Sequence, residues 1–297
     1  MVVLNQVQKT QFQNQGYLLL ENAIPEIKLD LLNKEFERWV EESRVQQSNY
    51  GKTLDGRPRF SVQPGHNAER PGLRRIASPN ELSDNYLDVM RSSIAVDAVC
   101  DLFGPNLRFN NAKINSKLPG AGTEVKYHQD FPFELHSNDD LMTVLYFLDD
   151  VTEDNGPLEV VPGSHKGPLH DHWHNGVFTG AVSDEIAQQA SANAVPCTGK
   201  AGSACLMHTR LLHGSAPNQS NYPRTLFICA YNAEDSHPVI DNHIPSIHSG
   251  EIVRGEDTGR IRCSQYETQI AEKPGDASFF EQQALSNNNK ANTQQGQ

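Results

Sequence analysis

Cysteine is scarce and shows no pairing pattern. The five residues, Cys100, Cys197, Cys205, Cys229 and Cys263, are odd in number and include no C-x-x-C pair. That fits free thiols in a reducing cytosol better than a disulfide framework or a cysteine zinc site. Positive charge is in deficit: 25 Lys+Arg against 37 Asp+Glu leave a formal net charge of -12. Such a balance argues against a nucleic-acid partner, because affinity for phosphate backbones rests on Lys and Arg. Long apolar runs are missing as well. No stretch approaches the ~20 residues needed to cross a bilayer, and mean hydropathy is -0.58. The start, Met1 to Gln6, has no charged residue followed by an apolar run, so no signal peptide is expected. The chain does have length: 297 residues suffice for a real core in one large domain or two small ones. The class left standing is a soluble, cytoplasmic enzyme or binding protein.

Along the chain, Val7 to Gln15 reads as a short helix and Gly16 introduces an apolar strand, Tyr17 to Leu20. A second helix follows Pro25, whose fixed φ suits a first turn; Leu29, Leu32, Phe36, Trp39 and Val40 recur at helical spacing. Ser48 to Pro79, rich in Gly, Pro and Arg, has little periodicity and reads as a long functional loop. Glu81 to Phe103 is helical again, and Gly104-Pro105 stops it. From Leu107 the pattern changes to short strands divided by turn residues: 107–118, 141–148, 158–161, 204–212 and 225–231. Helices first and strands later predict a β-sandwich or open barrel with helices packed outside, not an alternating parallel sheet. The expected organisation is a single domain over 1–285, with a mostly helical and loop buttress over 1–106 and a β core over 107–285. Residues 286–297, nearly all Asn, Gln, Ser, Thr and Gly, are expected to be a disordered tail.

Two segments carry chemistry: Tyr127-His128-Gln129-Asp130 and Leu212-His213-Gly214-Ser215. In an extended segment residues two apart point the same way, so His128 and Asp130 present an imidazole and a carboxylate to one point. His213, from a distant strand, would complete a face of two His and one carboxylate. Such a face leaves coordination positions open and suits non-haem Fe(II). Past His213 the chain turns and returns as a strand at Arg224. A guanidinium there can hold a dicarboxylate by a bidentate pair, and Ser215 can add a hydroxyl donor.

These residues sit in a wider pattern. Phe12-x-x-x-Gly16-Tyr17, His128-Gln129-Asp130, Asn155-Gly156-Pro157-Leu158, Val161-Pro162-Gly163-Ser164-His165-Lys166, and His213-Gly214-Ser215 followed by Arg224 occur in this order across most of the chain. In this the sequence resembles the phytanoyl-CoA dioxygenase family of iron(II)- and 2-oxoglutarate-dependent oxygenases. The resemblance implies a mainly β fold with flanking helices around a double-stranded β-helix (jelly-roll, cupin-like) core. It implies that His128, Asp130 and His213 bind Fe(II), and that Arg224 and Ser215 hold the far carboxylate of 2-oxoglutarate. Tyr146 falls where some members place an aromatic residue beside the cosubstrate, though a core tyrosine is an equal reading. Retention of Asp130 argues for oxidation without halide, since related halogenases replace this carboxylate. The implied reaction consumes 2-oxoglutarate and O2 and releases succinate and CO2 while a small metabolite is hydroxylated. Ascorbate would serve as the reductant in vitro.

Other features are assigned plainer roles. The cluster His165, His170, His172 and His174 reads as an exposed loop, with His165 in a structural turn. His208, five residues before His213, points to the opposite strand face and is expected to be structural or substrate-facing. The cysteines read as small buried residues. Arg57, Arg59, Arg70, Arg74 and Arg75 concentrate positive charge in an acidic chain and read for the most part as a solvated lid; Arg74 or Arg75, with Lys113 or Lys117, are the candidates for meeting an anionic group on a substrate. Desaturation, cyclisation or demethylation would use the same metal face. Two other classes stay open: a jelly-roll binding protein with structural zinc, and a family member that has lost catalysis.

Overall fold

The computed structural model describes residues 2–120, 122–272 and 283; the tail expected over 286–297 lies outside them. Helix α1 (Gln6–Gln15) starts at a capping box between Asn5 and Gln8 and stops at Gly16, whose φ of 79° is the left-handed C-cap geometry. Strand β1 (Tyr17–Leu20) follows, then α2 (Glu26–Ser43), with Pro25 at its N-cap, not inside its first turn. The predicted helix over 81–103 is two helices, α3 (Asp84–Ser92) and α4 (Ile94–Phe103). Ser93 divides them in extended conformation (φ -66°, ψ 155°), where its Oγ meets the buried Tyr146 hydroxyl at 2.6 Å.

The loop expected over 48–79 contains two strands, β2 (Phe60–Val62) and β3 (Leu73–Ala77). They were hidden because Arg74-Arg75 breaks the apolar pattern that marks a strand, while Arg75 is buried. The remaining strands are β4 (Leu107–Lys117), β5 (Val125–His128), β6 (Leu141–Phe147), β7 (Leu158–Val160), β8 (Trp173–His174), β9 (Val177–Phe178), β10 (Val195–Cys197), β11 (Ala204–His208), β12 (His213–Ser215), β13 (Arg224–Ala233) and β14 (Ile252–Arg254). Helix α5 (Asp184–Asn193) precedes β10.

Two antiparallel sheets build the core. The larger runs β1-β11-β6-β13-β4-β3-β2, with β14 also paired to β4; the smaller runs β10-β7-β12-β5. The period-two alternation of strands explains how one sheet serves two purposes. On β13, Phe227, Cys229 and Tyr231 face the helices α1–α4 in the main core, whereas Arg224, Leu226 and Ile228 face a cavity between the sheets. On β6, Val144 and Tyr146 face the helices, and Thr143 and Leu145 face the cavity. Both strands are therefore buried on both faces. Aromatic rings lock the helical layer on: Tyr86 of α3 stands edge-on to Phe227 at 4.9 Å and lies 5.3 Å from Trp39 of α2. The Tyr86 hydroxyl donates to the Leu32 carbonyl at 3.0 Å. This is the jelly-roll that the family resemblance implies, with the external helices that the element order predicts. Among the described residues no helix is long and apolar enough to cross a membrane.

Cys197, Cys205 and Cys229 are buried as expected, but Cys100 is half-buried and Cys263 is exposed. The latter lies in a non-regular segment after β14, outside the buried hydrophobic clusters.

Candidate metal and cosubstrate site

His128 ends β5 and His213 begins β12, and the two are register partners in the smaller sheet. Their rings lie 4.2 Å apart. Each imidazole is fixed from behind: His128 Nδ1 meets the Lys126 carbonyl at 2.9 Å, and His213 Nδ1 meets the Leu211 carbonyl at 2.9 Å. A carbonyl can only accept, so Nδ1 carries the proton in both rings and Nε2 turns a lone pair to the cavity. Burial drives the His213 pKa down to about 4, with His128 beside it adding to the effect, so this ring is neutral at pH 7, the form that ligates a metal.

Asp130 follows β5 at the cap of a short 3-10 turn, beyond the extended segment the sequence pattern implies. It still faces the same point: Oδ1 lies 3.4 Å from His128 Nε2 and 3.6 Å from His213 Nε2. Thr143 donates to the other oxygen, Oδ2, at 2.9 Å, which leaves Oδ1 for the shared point. Ligand atoms of the three residues all fall within 4.8 Å of one another, and among the described residues this is the only cluster able to hold a metal ion in this way. Burial works to raise the Asp130 pKa, but the attraction of the two adjacent imidazoles in their protonated form prevails and holds the carboxyl well below the ordinary range. The donor set, two imidazoles and a carboxylate, fits a divalent iron with open positions. Gln129, between the ligands, points away and ties loops together: its Nε2 donates to the Arg210 carbonyl at 2.7 Å, and its Oε1 accepts from His170 N at 2.8 Å.

A second group lines the same cavity. Arg224 is buried, and its guanidinium donates to the Gly156 carbonyl from Nε at 3.1 Å and from Nη2 at 2.7 Å. Gly156 holds φ of 73°, and a Cβ there would meet the Ala216 carbonyl at 2.7 Å, so only glycine fits. The Asn155-Gly156 turn thus orients the arginine. Lys117, register partner of Arg224, donates from Nζ to Ser215 Oγ at 2.7 Å and to the Ser215 carbonyl at 3.2 Å. Burial, with Arg224 adjacent, lowers the Lys117 pKa to about 6. Arg224, Lys117 and Ser215 together suit a carboxylate in an otherwise apolar wall formed by Leu145, Leu158, Leu226 and Ile228.

Several expectations change. Tyr146 does not reach the cavity; alternation on β6 turns it into the helical core, where it bonds Ser93 and lies 5.6 Å from Phe227. Arg75 and Lys113 line the cavity, but Arg74, one residue off in register, does not. Arg57 pairs with Asp55 at 2.7 Å and Arg59 with Glu81 at 2.5 Å, both structural. His172 is not in an exposed loop: it is buried and its Nε2 accepts from Gln129 N at 3.2 Å. His165 stacks near His208 at 5.4 Å, and His208 also packs against Phe12 and Phe103, so both serve the fold. Neighbouring Ser164 Oγ accepts from Leu212 N at 2.8 Å, which steadies the entry to His213. Sequence reasoning missed Asn115 and Thr143 in the cavity wall, and the buried Glu134 and His243 beside Lys113. The signal for Asn115 was available: Lys113-x-Asn115-x-Lys117 places three polar residues on one face of a buried strand.

The family model described as phytanoyl-CoA dioxygenase (PhyH) matches residues 12–226, a span that contains every residue of the metal face and of the carboxylate end. A probable alpha-ketoglutarate-dependent hypophosphite dioxygenase of Stutzerimonas stutzeri is 38% identical over 174 residues, 57% of this chain and 60% of that protein. L-proline trans-4-hydroxylase of Streptomyces griseoviridis is 28% identical over 233 residues, 71% of this chain and 85% of that protein. Among solved structures, iron-bound EctD from S. alaskensis superposes with a TM-score of 0.64 at 20% identity, covering 90% of this chain and 89% of that one, a likeness of fold. With the motif order, the jelly-roll and the matched span in agreement, the chain belongs to the phytanoyl-CoA dioxygenase family of non-haem iron, 2-oxoglutarate-dependent oxygenases.

Proposed function

We propose that His128, Asp130 and His213 hold Fe(II), that Arg224, Ser215 and Lys117 hold the far carboxylate of 2-oxoglutarate, and that the protein hydroxylates a C–H bond of a small metabolite. The observation that carries this reading is the meeting of both groups on one cavity between the sheets. The balance is one substrate C–H, one O2 and one 2-oxoglutarate giving C–OH, succinate and CO2. When bound, the iron and its cosubstrate supply the oxidant. The protein's own share is orientation and exclusion of water. The Lys126 and Leu211 carbonyls fix the tautomers, Thr143 aims Asp130, and the Gly156 carbonyl aims Arg224. The apolar wall keeps the carboxylate pairing strong by lowering the local dielectric. Small size is supported by a cavity volume of about 100 Å3, below the few hundred Å3 of sites for drug-sized ligands. The names of relatives point the same way, since hypophosphite and L-proline are small molecules.

Succinate formation from 2-oxoglutarate by purified protein with Fe(II), ascorbate and air tests the reading. Slow turnover without added substrate, abolished in His128→Ala, is expected. Absence of both turnover and 2-oxoglutarate binding would overturn it in favour of a non-catalytic module.

A further inference from the structure

Strand β5 carries His128 and stands at the edge of the smaller sheet, with β12 on one side only. An edge strand turns backbone N–H and C=O groups away from its one neighbour, and where these are covered they need partners from elsewhere. Around His128 the partners come from three separate segments. Val182 N donates to the Tyr127 carbonyl at 2.9 Å. His172 Nε2 accepts from Gln129 N at 3.2 Å. The third comes from far along the chain: Gln283 Oε1 accepts from Lys126 N at 3.0 Å, and Gln283 Nε2 donates to the Gly180 carbonyl at 2.9 Å. Gln283 is 3% exposed and lies beyond the family-matched span 12–226.

The side chain suits its place. A carboxamide is the side-chain counterpart of a peptide group, one planar unit with an acceptor and a donor. Gln283 therefore stands on the outer edge of β5 as a peptide unit of a further strand would, and ties β5 to the 180–182 segment. The residue it holds is the one that aims a metal ligand, since the Lys126 carbonyl accepts from His128 Nδ1 at 2.9 Å. The N–H and C=O of Lys126 flank the same Cα, so fixing the first limits how far the second can swing.

We propose that Gln283 is a positioning residue of the metal face: by pinning the Lys126 backbone from outside the sheet, it keeps the His128 ring in the tautomer and pose that ligate Fe(II). The assignment rests on the metal set proposed above, and it adds a residue that reaches the site from outside the family-matched span. Losing a group bonded directly to a metal ligand costs roughly 10–100-fold in metal affinity. Gln283 acts one bond further out, so its loss costs less.

The test uses the full chain in two arms. In metal-free protein at about pH 8, above the ordinary histidine pKa of about 6.5, nitrogen NMR of the ring reads the His128 tautomer, with His128→Ala assigning the signal. Anaerobic calorimetry then reads Fe(II) affinity. Gln283→Leu should move His128 from the Nδ1–H form to a mixture of tautomers and weaken Fe(II) by at least about fivefold. Gln283→Glu keeps an oxygen for the Lys126 N–H; it should retain the Nδ1–H form and an Fe(II) affinity within about twofold of wild type. Trp173→Phe controls for looser attachment of the chain after β14. It removes the indole bond to the Ile270 carbonyl, keeps a ring beside Phe178, and should change neither readout. An unshifted tautomer or an unchanged Fe(II) affinity in Gln283→Leu, a Gln283→Glu protein as impaired as Gln283→Leu, or an equal loss in Trp173→Phe would overturn the proposal. A wild-type chain that binds no Fe(II) would instead count against the metal assignment, and the tautomer arm, which needs no metal, would still decide the role of Gln283.

Discussion

At the scale of single residues, the site depends on groups that act through others. Lys117 shows this most sharply. Burial and the adjacent Arg224 pull its pKa from 10.5 to about 6, so before an anion binds the lysine loses its proton as pH rises through 6. A carboxylate at Arg224 and Ser215 favours the protonated form. Binding of 2-oxoglutarate should therefore take up a proton near pH 7 to 8 and weaken as pH rises above 6; calorimetry in two buffers of different ionisation enthalpy measures that uptake. For stability the sign is opposite to the usual lysine case. The unfolded chain holds the proton up to about 10.5 and the folded one only to about 6, so in the absence of ligand Lys117 makes the fold less stable as pH falls from 10.5 to 6. Tyr146 provides a control. Tyr146→Phe removes a 2.6 Å bond to Ser93 in the helical core; it should cost about 1–2 kcal/mol of stability and leave the 2-oxoglutarate dissociation constant unchanged. A large loss of cosubstrate affinity would return Tyr146 to the site.

At the scale of elements, strand β13 couples core to chemistry, because one face packs the helices and the other lines the cavity. Phe227→Ala should cost about 3–5 kcal/mol, seen as a fall in Tm, because it removes the ring that meets Tyr86 and Tyr146. The turn over Asn155-Gly156 acts on the other face. Gly156→Ala forces a Cβ against the Ala216 carbonyl and should shift the carbonyl that holds Arg224. Weaker 2-oxoglutarate binding together with a fall in Tm is expected, because the substitution strains a positive-φ backbone, and unchanged binding would show that Arg224 is oriented by something else. What was legible at this scale followed from period and spacing. His128, Asp130 and His213 were readable from motif order, although the alternation argument fails for Asp130, which caps a 3-10 turn beyond β5. Strands β2 and β3 were not, because Arg75 carries its charge into a buried strand, and pattern reading takes charge as a mark of the surface. The break at Ser93 was invisible for a similar reason: the hydroxyl it meets belongs to Tyr146, 53 residues away.

At the scale of the whole molecule, a cavity between two sheets collects polar residues from strands far apart in sequence, and a single chain pattern cannot rank their roles. Arg75, Lys113 and Lys117 were all readable as cations near the site, but only the register on β4 sets Lys117 beside Arg224 of β13 and Arg75 of β3 opposite Asn115. The central claim, that one cavity binds iron at His128, Asp130 and His213 and 2-oxoglutarate at Arg224, is tested most directly by anaerobic titration of 2-oxoglutarate into the Fe(II) protein. The account predicts a weak visible charge-transfer band that saturates in the wild type, needs at least tenfold more 2-oxoglutarate in Arg224→Gln, and is absent in His213→Ala. A wild-type protein that gives no band, or an Arg224→Gln variant that gives it at the same concentration, would contradict it.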